Sequence, residues 1–304
     1  MARVIVIGGA NVDIKGRSSG AFIGGTSNPG DVTVSVGGVG RNIAENLARL
    51  GHDVSLLTVL GEDANGRLVR ESCAAANVEL GLTVTSRLAT GTYLVVLDRK
   101  GELISAINDM QAIESLTPAQ LDRVSARLRE ADMLVADCNI PAACLDWLCR
   151  FSAESGIRLA VEPVSVPKAR KLLSFTRIQP VFAITPNLQQ IAAMTGETNE
   201  ARAIAKLHLL GFANVVMHRG GKGALVSAGS AIIEVPPFLV ADVADVTGAG
   251  DAAVAGLLCG ILDGMPLESA ARMGQAAASM KLSSRESAAS SMTRQALFHL
   301  AGIS

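Results

Sequence analysis

The sequence predicts an α/β fold, a doubly wound and mostly parallel sheet carrying a small inserted β-sheet as a lid, and three observations lead there. Short apolar runs bounded by turn residues recur at 4–7, 54–59, 133–136, 159–161, 181–184 and 215–217. Segments with helical spacing lie between them, at 43–50, 121–129, 145–153, 188–194 and 201–210. Buried strands alternating with helices make a parallel sheet covered on both faces. The third observation is where the rhythm breaks: 32–36, 92–97 and 103–107 read as strands without crossover helices, and Asp98-Arg-Lys-Gly-Glu102 reads as a hairpin turn.

Each element has its own reason. Val4-Ile-Val-Ile-Gly-Gly9 holds too short an apolar stretch for a signal peptide and reads as the first strand. Asn11-Val-Asp13 follows it, where an open α/β sheet presents its loops to ligand. The small sheet draws its strands from about 12–36 and 90–109, inside a single domain spanning 1–304. A sheet that cannot bury both faces alone serves as a lid or an interface, so its exposed face suits a homodimer. Gly37-Gly-Val-Gly-Arg-Asn42 runs directly into a helical segment, and Ala252-Ala-Val-Ala-Gly-Leu-Leu-Cys-Gly-Ile-Leu262 is apolar and helix-length.

Composition excludes several function classes. With 49% hydrophobic and 18% charged residues the chain is globular, yet no uninterrupted apolar run approaches the ~18 residues of a membrane span. That points to a cytoplasmic protein with no membrane partner. The net charge is −1 with Lys and Arg scattered, and aromatics are only 3%, so neither a basic stripe nor stacking platforms suggest nucleic acid. Five cysteines without a C-x-x-C pair and four dispersed histidines exclude a disulfide framework and a structural zinc site.

Two glycine clusters carry the chemistry. In Asp245-Val-Thr-Gly-Ala-Gly-Asp251 a glycine turn opens the apolar helix, so Gly248, Ala249 and Gly250 bring free N–H groups and the positive end of the helix dipole to one place. Asp251 in the first turn can accept a proton from an attacking hydroxyl. Asp and Gly here equally suit a helix cap and a turn. In the first cluster, bare glycines let a ligand lie against the backbone, and Asn42 offers a donor and an acceptor to a polyol. Asp13 can accept two hydroxyl hydrogen bonds; the alternative is that Asn11 and Asp13 fix their own turn.

Gly-Gly-x-Gly-x-Asn near one end and D-x-T-G-A-G-D near the other together resemble the ribokinase, or PfkB-type, family of carbohydrate and nucleoside kinases. The resemblance covers essentially the whole chain and implies the ribokinase-like fold with its β-sheet lid. It implies Asp251 as catalytic base, Gly248, Ala249 and Gly250 as anion hole, and Asp13, Gly38 and Asn42 on the sugar hydroxyls. His218-Arg-Gly-Gly-Lys-Gly-Ala224 looks like the family's nucleotide loop, placing His218, Gly220 and Gly223 near ATP, with Asn187 beside them. ATP and Mg²⁺ are the implied cofactors. A potassium ion held by Asp245 and Thr247 is a further implication, although the second loop, around 283–291, lacks the glycine often found there.

Three departures from the family pattern stand out. Gln190 replaces the carboxylate of N-x-x-E after Asn187, which implies weaker magnesium dependence; a neutral amide can bond a magnesium-bound water but cannot neutralise the metal. Glu162-Pro163 stands where relatives have Asp-Pro. His218 replaces a threonine. Ser27-Asn-Pro-Gly30, Ala106-Ile-Asn-Asp-Met110 and Val135-Ala-Asp-Cys-Asn-Ile140 add a finer resemblance, to the bacterial pseudouridine kinases. That branch implies phosphorylation of the 5′-hydroxyl; Asn108, Asp109 and Asn139, and Thr92 or Ser27, offer donors and acceptors that match the base, the alternative for Asn108-Asp109 being a turn that ends the lid strand. Ribokinase or another pentose or nucleoside kinase is the nearest alternative, and a non-catalytic nucleoside sensor a more distant one. A dinucleotide oxidoreductase fails because Asn11-Val-Asp13 interrupts G-x-G-x-x-G.

Overall fold

The computed structural model describes residues 1–175, 180–284, 288–289 and 291–303. Among them, nine strands form one sheet in the order Ile232–Val235, Ala224–Ser227, Phe212–His218, Val181–Ile184, Arg158–Glu162, Met133–Asp137, Arg3–Ile7, Asp53–Leu57 and Val78–Glu79. The seven strands from Phe212–His218 to Val78–Glu79 are parallel, and Ala224–Ser227 pairs antiparallel with both Phe212–His218 and Ile232–Val235, the α/β arrangement expected. Val4, Val6, Ile5 and Ile7 alternate between two apolar layers, one on each face, and all are buried. Burial on both faces is why these strands read as unbroken apolar runs. Among the described residues no helix is long and apolar enough to cross a membrane.

The chain leaves Arg3–Ile7 in one direction across the sheet and returns to its other side at Met133–Asp137. Between these neighbours lies the switch point where open α/β sheets bind ligands beyond the carboxyl ends of their strands.

A second sheet holds four strands in the order Gly30–Gly37, Asn11–Ser18, Gly91–Leu97 and Leu103–Asp109. Its middle pair is parallel and its outer pairs antiparallel, with a bulge between Val96 and Leu97. Val32, Val34, Leu103 and Ile107 are exposed on it. The strand Asn11–Ser18 has no apolar run to announce it; Gly16 and three charged residues carry its pairing.

Two sequence elements divide. The run 54–59 ends its main-sheet pairing at Leu57, and Val59–Gly61 pairs instead with Val84–Ser86; both pieces are buried, so hydropathy alone joins them. The helix expected over 121–129 is two short ones, Pro118–Arg123 and Ser125–Leu128, parted at Val124 with φ −106° and ψ 7°.

Candidate active site

The switch point is closed by Asp137, a wholly buried carboxylate at the end of Met133–Asp137. Its Oδ2 accepts from Gly9 N at 2.9 Å and from Gly40 N at 2.8 Å, joining the exit of the first strand to the start of the helix Val39–Arg49. Gly38, at φ 101°, makes the turn between them; a Cβ there would lie 2.5 Å from Gly9 O and 2.6 Å from Ala10 Cα. This position admits glycine alone.

From this anchor a line of bonds runs to Asp251. Arg41 is buried and donates to the carboxylate of Glu45, the carbonyl of Val36 and Asn42 Oδ1. With its oxygen taken, Asn42 turns Nδ2 outward and donates to Asp251 Oδ2 at 2.6 Å. Asp13, also buried, accepts from Asn11 Nδ2 at 2.6 Å, and burial raises its pKa. Asp251 occupies the first turn of Ala249–Leu262. Burial pushes its carboxyl up to about 7; the Asn42 bond and the Arg41 charge oppose the rise, while Asp137 and Asp13 add to it. A carboxylate with a pKa near neutrality is fitted to take a proton.

The phosphate side is built from backbone. Gly248 caps Ala249–Leu262 in the left-handed region, φ 82°, and no side chain bonds the first-turn amides. Ala249 and Gly250 form one wall of a cavity of about 470 Å³ whose other walls include His218, Gly220, Gly223 and Phe238. The expected nucleotide loop and the expected anion turn, 25 residues apart in sequence, thus share one pocket. His218 Nε2 is buried without a partner, and burial lowers the ring's pKa to about 4, so it stands neutral at the cavity wall. Asn187 reaches this region through a bridge to His218.

Asn187 and Gln190 bond each other. Asn187 Oδ1 accepts from Gln190 N at 2.9 Å and Gln190 Oε1 from Asn187 N at 2.7 Å, a capping box at the head of Leu188–Thr195. Gln serves a capping box as well as Glu does, which explains its presence here. With its oxygen so engaged, Gln190 presents a donor, which matches a phosphate oxygen rather than a metal-bound water.

On the opposite side, Asn108 and Asp109 end the exposed strand Leu103–Asp109 and line a recess of about 400 Å³ with Lys168. Asn139 stands behind them: its Oδ1 accepts from Lys168 and its Nδ2 donates to Asp137 at 2.9 Å. Its amide is spent within the protein, holding Lys168 in place. Thr92 is likewise engaged, by Asn65 at 3.0 Å.

Of the donors expected to hold potassium, Asp245 is already engaged within the protein. Asp245 Oδ1 accepts from Thr247 N at 2.9 Å, Oδ2 lies 3.8 Å from Lys15 Nζ, and Asp245 O accepts from Lys281 Nζ at 3.1 Å. Of the second loop, residues 285–287 and 290 lie outside the described residues.

Sequence reasoning missed Asp137, Arg41, Lys168 and Lys281, and left Glu162 without a role. Asp137 closes an apolar strand just as Asn11 follows one, so its position was a usable signal. Glu162 accepts from Thr185 Oγ1 and from Val164 N at 3.1 Å; burial pushes it up to about 8, aided by the Asp251 and Asp137 charges.

The model of the pfkB family of carbohydrate kinases matches residues 1–294. A pseudouridine kinase of Escherichia coli (strain K12) is 35% identical, the alignment covering 92% of this chain and 90% of that protein. Among solved structures, a carbohydrate kinase from Agrobacterium tumefaciens superposes with a TM-score of 0.86 at 30% identity, over 100% of this chain and 98% of its own. Arabidopsis thaliana ribokinase complexed with ribose and ATP gives 0.87 at 25% identity, over 100% and 99%.

Proposed function

Since the chain belongs to the pfkB family of carbohydrate kinases, phosphotransferases acting on hydroxyl groups, we propose that it transfers the γ-phosphoryl group of ATP to the 5′-hydroxyl of pseudouridine. The observation that carries the chemistry is the place of Asp251, bonded to Asn42 on one side and one residue from the cavity-lining Gly250 on the other. The relative that is 35% identical supports the choice of acceptor.

In this reading the nucleotide fills the cavity between His218 and Gly250, with its phosphates at the amides of Gly248, Ala249 and Gly250. Asp13, Asn42 and the backbone at Gly38 receive the ribose hydroxyls. Ionised Asp251 takes the proton of the 5′-oxygen as that oxygen bonds to the γ-phosphorus and the bond to ADP breaks. The turn amides, fixed before the reaction, hold the charge on the moving group. Magnesium, when bound with the nucleotide, would supply neutralising charge to the phosphates. The phosphates and water would carry that metal, since Asn187 and Gln190, bonded to each other at the head of Leu188–Thr195, offer it no carboxylate. Asp245 and Thr247 hold the turn itself.

Asn108, Asp109 and Lys168 present two acceptors and donors to a uracil edge. Pseudouridine carries a ring N–H where uridine carries its glycosidic bond, so an acceptor of this recess such as Asp109 finds that partner in the former alone. The small sheet acts as a lid over this side, and its exposed Val32, Val34, Leu103 and Ile107 suit a dimer contact. Incubation with ATP, magnesium and each of pseudouridine, uridine and ribose tests the reading by ADP release. Pseudouridine should turn over fastest; ribose turning over faster favours the ribokinase alternative.

A further inference from the structure

We propose that the ammonium of Lys281 is a built-in substitute for a monovalent metal ion beside the anion turn, and that phosphoryl transfer here is therefore independent of potassium. The proposal rests on the kinase reading above. Lys281 lies in the last turn of the helix Leu267–Leu282 and is wholly buried. Its Nζ donates to Asp245 O at 3.1 Å and to Ser284 O at 2.9 Å, so it ties the head of the anion turn to the segment after its own helix. A buried ammonium is costly unless oxygen atoms replace its water, and carbonyl oxygens do so here. The same kind of oxygen shell would hold a potassium ion, which has the same charge. Lys281 thus uses a donor that such an ion needs and supplies its charge as well.

The position is rigid. Leu267–Leu282 packs directly on Ala249–Leu262: a Cβ on Gly256 would lie 2.7 Å from the Ala277 side chain, and one on Gly274 would lie 2.6 Å from Ala253 O. The ammonium is therefore fixed relative to the turn that opens the neighbouring helix. Asp245 continues the connection, since its Oδ1 accepts from Thr247 N and Thr247 precedes the capping Gly248. Burial pushes the Asp245 carboxyl up, but the Thr247 bonds and the Lys15 and Lys281 charges outweigh it and hold the group ionised. Lys281 is accordingly a positioning residue, acting on the amides through Asp245 and Thr247.

The test compares wild type and Lys281→Ala in choline chloride and in potassium chloride at equal ionic strength, reading ADP formation from ATP and pseudouridine and the melting temperature. Wild type should change by less than about twofold in rate between the salts, with an unchanged melting temperature. Lys281→Ala should lose about tenfold or more in kcat in choline and recover in potassium or ammonium chloride, with a melting temperature higher in either of these salts than in choline. Rescue by a cation is what a merely structural lysine would not show. Wild-type activation by potassium of about fivefold or more overturns the proposal, whatever the variant does. So does a folded Lys281→Ala that is fully active in choline, or one whose loss no cation restores. If wild type releases no ADP with any acceptor, the kinase reading fails, while the melting temperatures still decide whether the ammonium stands in for a cation.

Discussion

The two halves of the site are made differently. The phosphate half, Gly248 to Asp251 with the loop at Gly220 and Gly223, presents backbone amides and open glycine surface. The proposed sugar and base half is made of side chains from four elements, Asp13, Asn42, Asn108, Asp109 and Lys168, of which Asp13, Asn42 and Lys168 are already bonded to further side chains, Asn11, Asp251 and Asn139. In the proposed reaction, charge that moves in the same way for every acceptor would be met mainly by backbone amides, which no side-chain substitution removes. Selection among acceptors is left to groups that substitution can change.

The largest effect should come from the residue shared by both halves. Asp251→Asn removes the proton acceptor while keeping the Asn42 contact, and kcat should fall about 100- to 10,000-fold with KM values little changed. The same variant should melt higher than wild type above neutral pH. The folded-state pKa of Asp251 lies near 7 against an unfolded value of 3.8, so the folded protein loses stability as pH rises through that window, and the amide escapes the loss.

Glycine substitutions then separate the halves. A Cβ at Gly250 meets nothing within 4 Å, so Gly250→Val should leave the melting temperature nearly unchanged yet block the phosphates and lower kcat about 100-fold. Gly38→Ala meets the backbone of Gly9 and Ala10 at positive φ and should cost about 2 kcal/mol or more of stability, read by denaturant unfolding. Equal stability losses would show the two turns to be built alike.

Legibility in the sequence follows the same division. The parallel sheet was readable because burial on both faces leaves unbroken apolar runs such as Val4 to Ile7. The glycine turn that opens Ala249–Leu262 was readable because it is one continuous segment of small residues. Lys168 was not, and Asp137 only by its place at the end of an apolar strand, because their roles arise from partners 29 to 128 residues away, as in Lys168 to Asn139 and Asp137 to Gly9; Arg41 bonds near neighbours, but only the fold buries it against them. Lys281 left a faint trace, a charged residue in the apolar stripe Ala270, Gly274, Ala277, Lys281, whose meaning depends on a carbonyl 36 residues earlier. Asn139 was singled out for the base, whereas its amide is used to hold Lys168 and Asp137.

Smaller effects sharpen the base and metal sides. Asp109→Ala should lower the preference for pseudouridine over uridine about tenfold, measured as the ratio of kcat/KM values. Gln190→Glu keeps the capping box and so the melting temperature, and should shift the magnesium half-saturation about twofold lower; an unmoved magnesium curve would remove any metal role from this position.

The central claim, that Asp251 is the base set between the two halves and tuned by Asn42, is tested most directly by kcat/KM for pseudouridine against pH in wild type and Asn42→Ala. Wild-type activity should fall on the acid side with a midpoint near 7, where Asp251 takes up its proton. Loss of the Asn42 donor should move that midpoint upward, because the bond favours the ionised form. A wild-type profile flat through neutrality, or an acid limb unmoved in Asn42→Ala, would contradict the account.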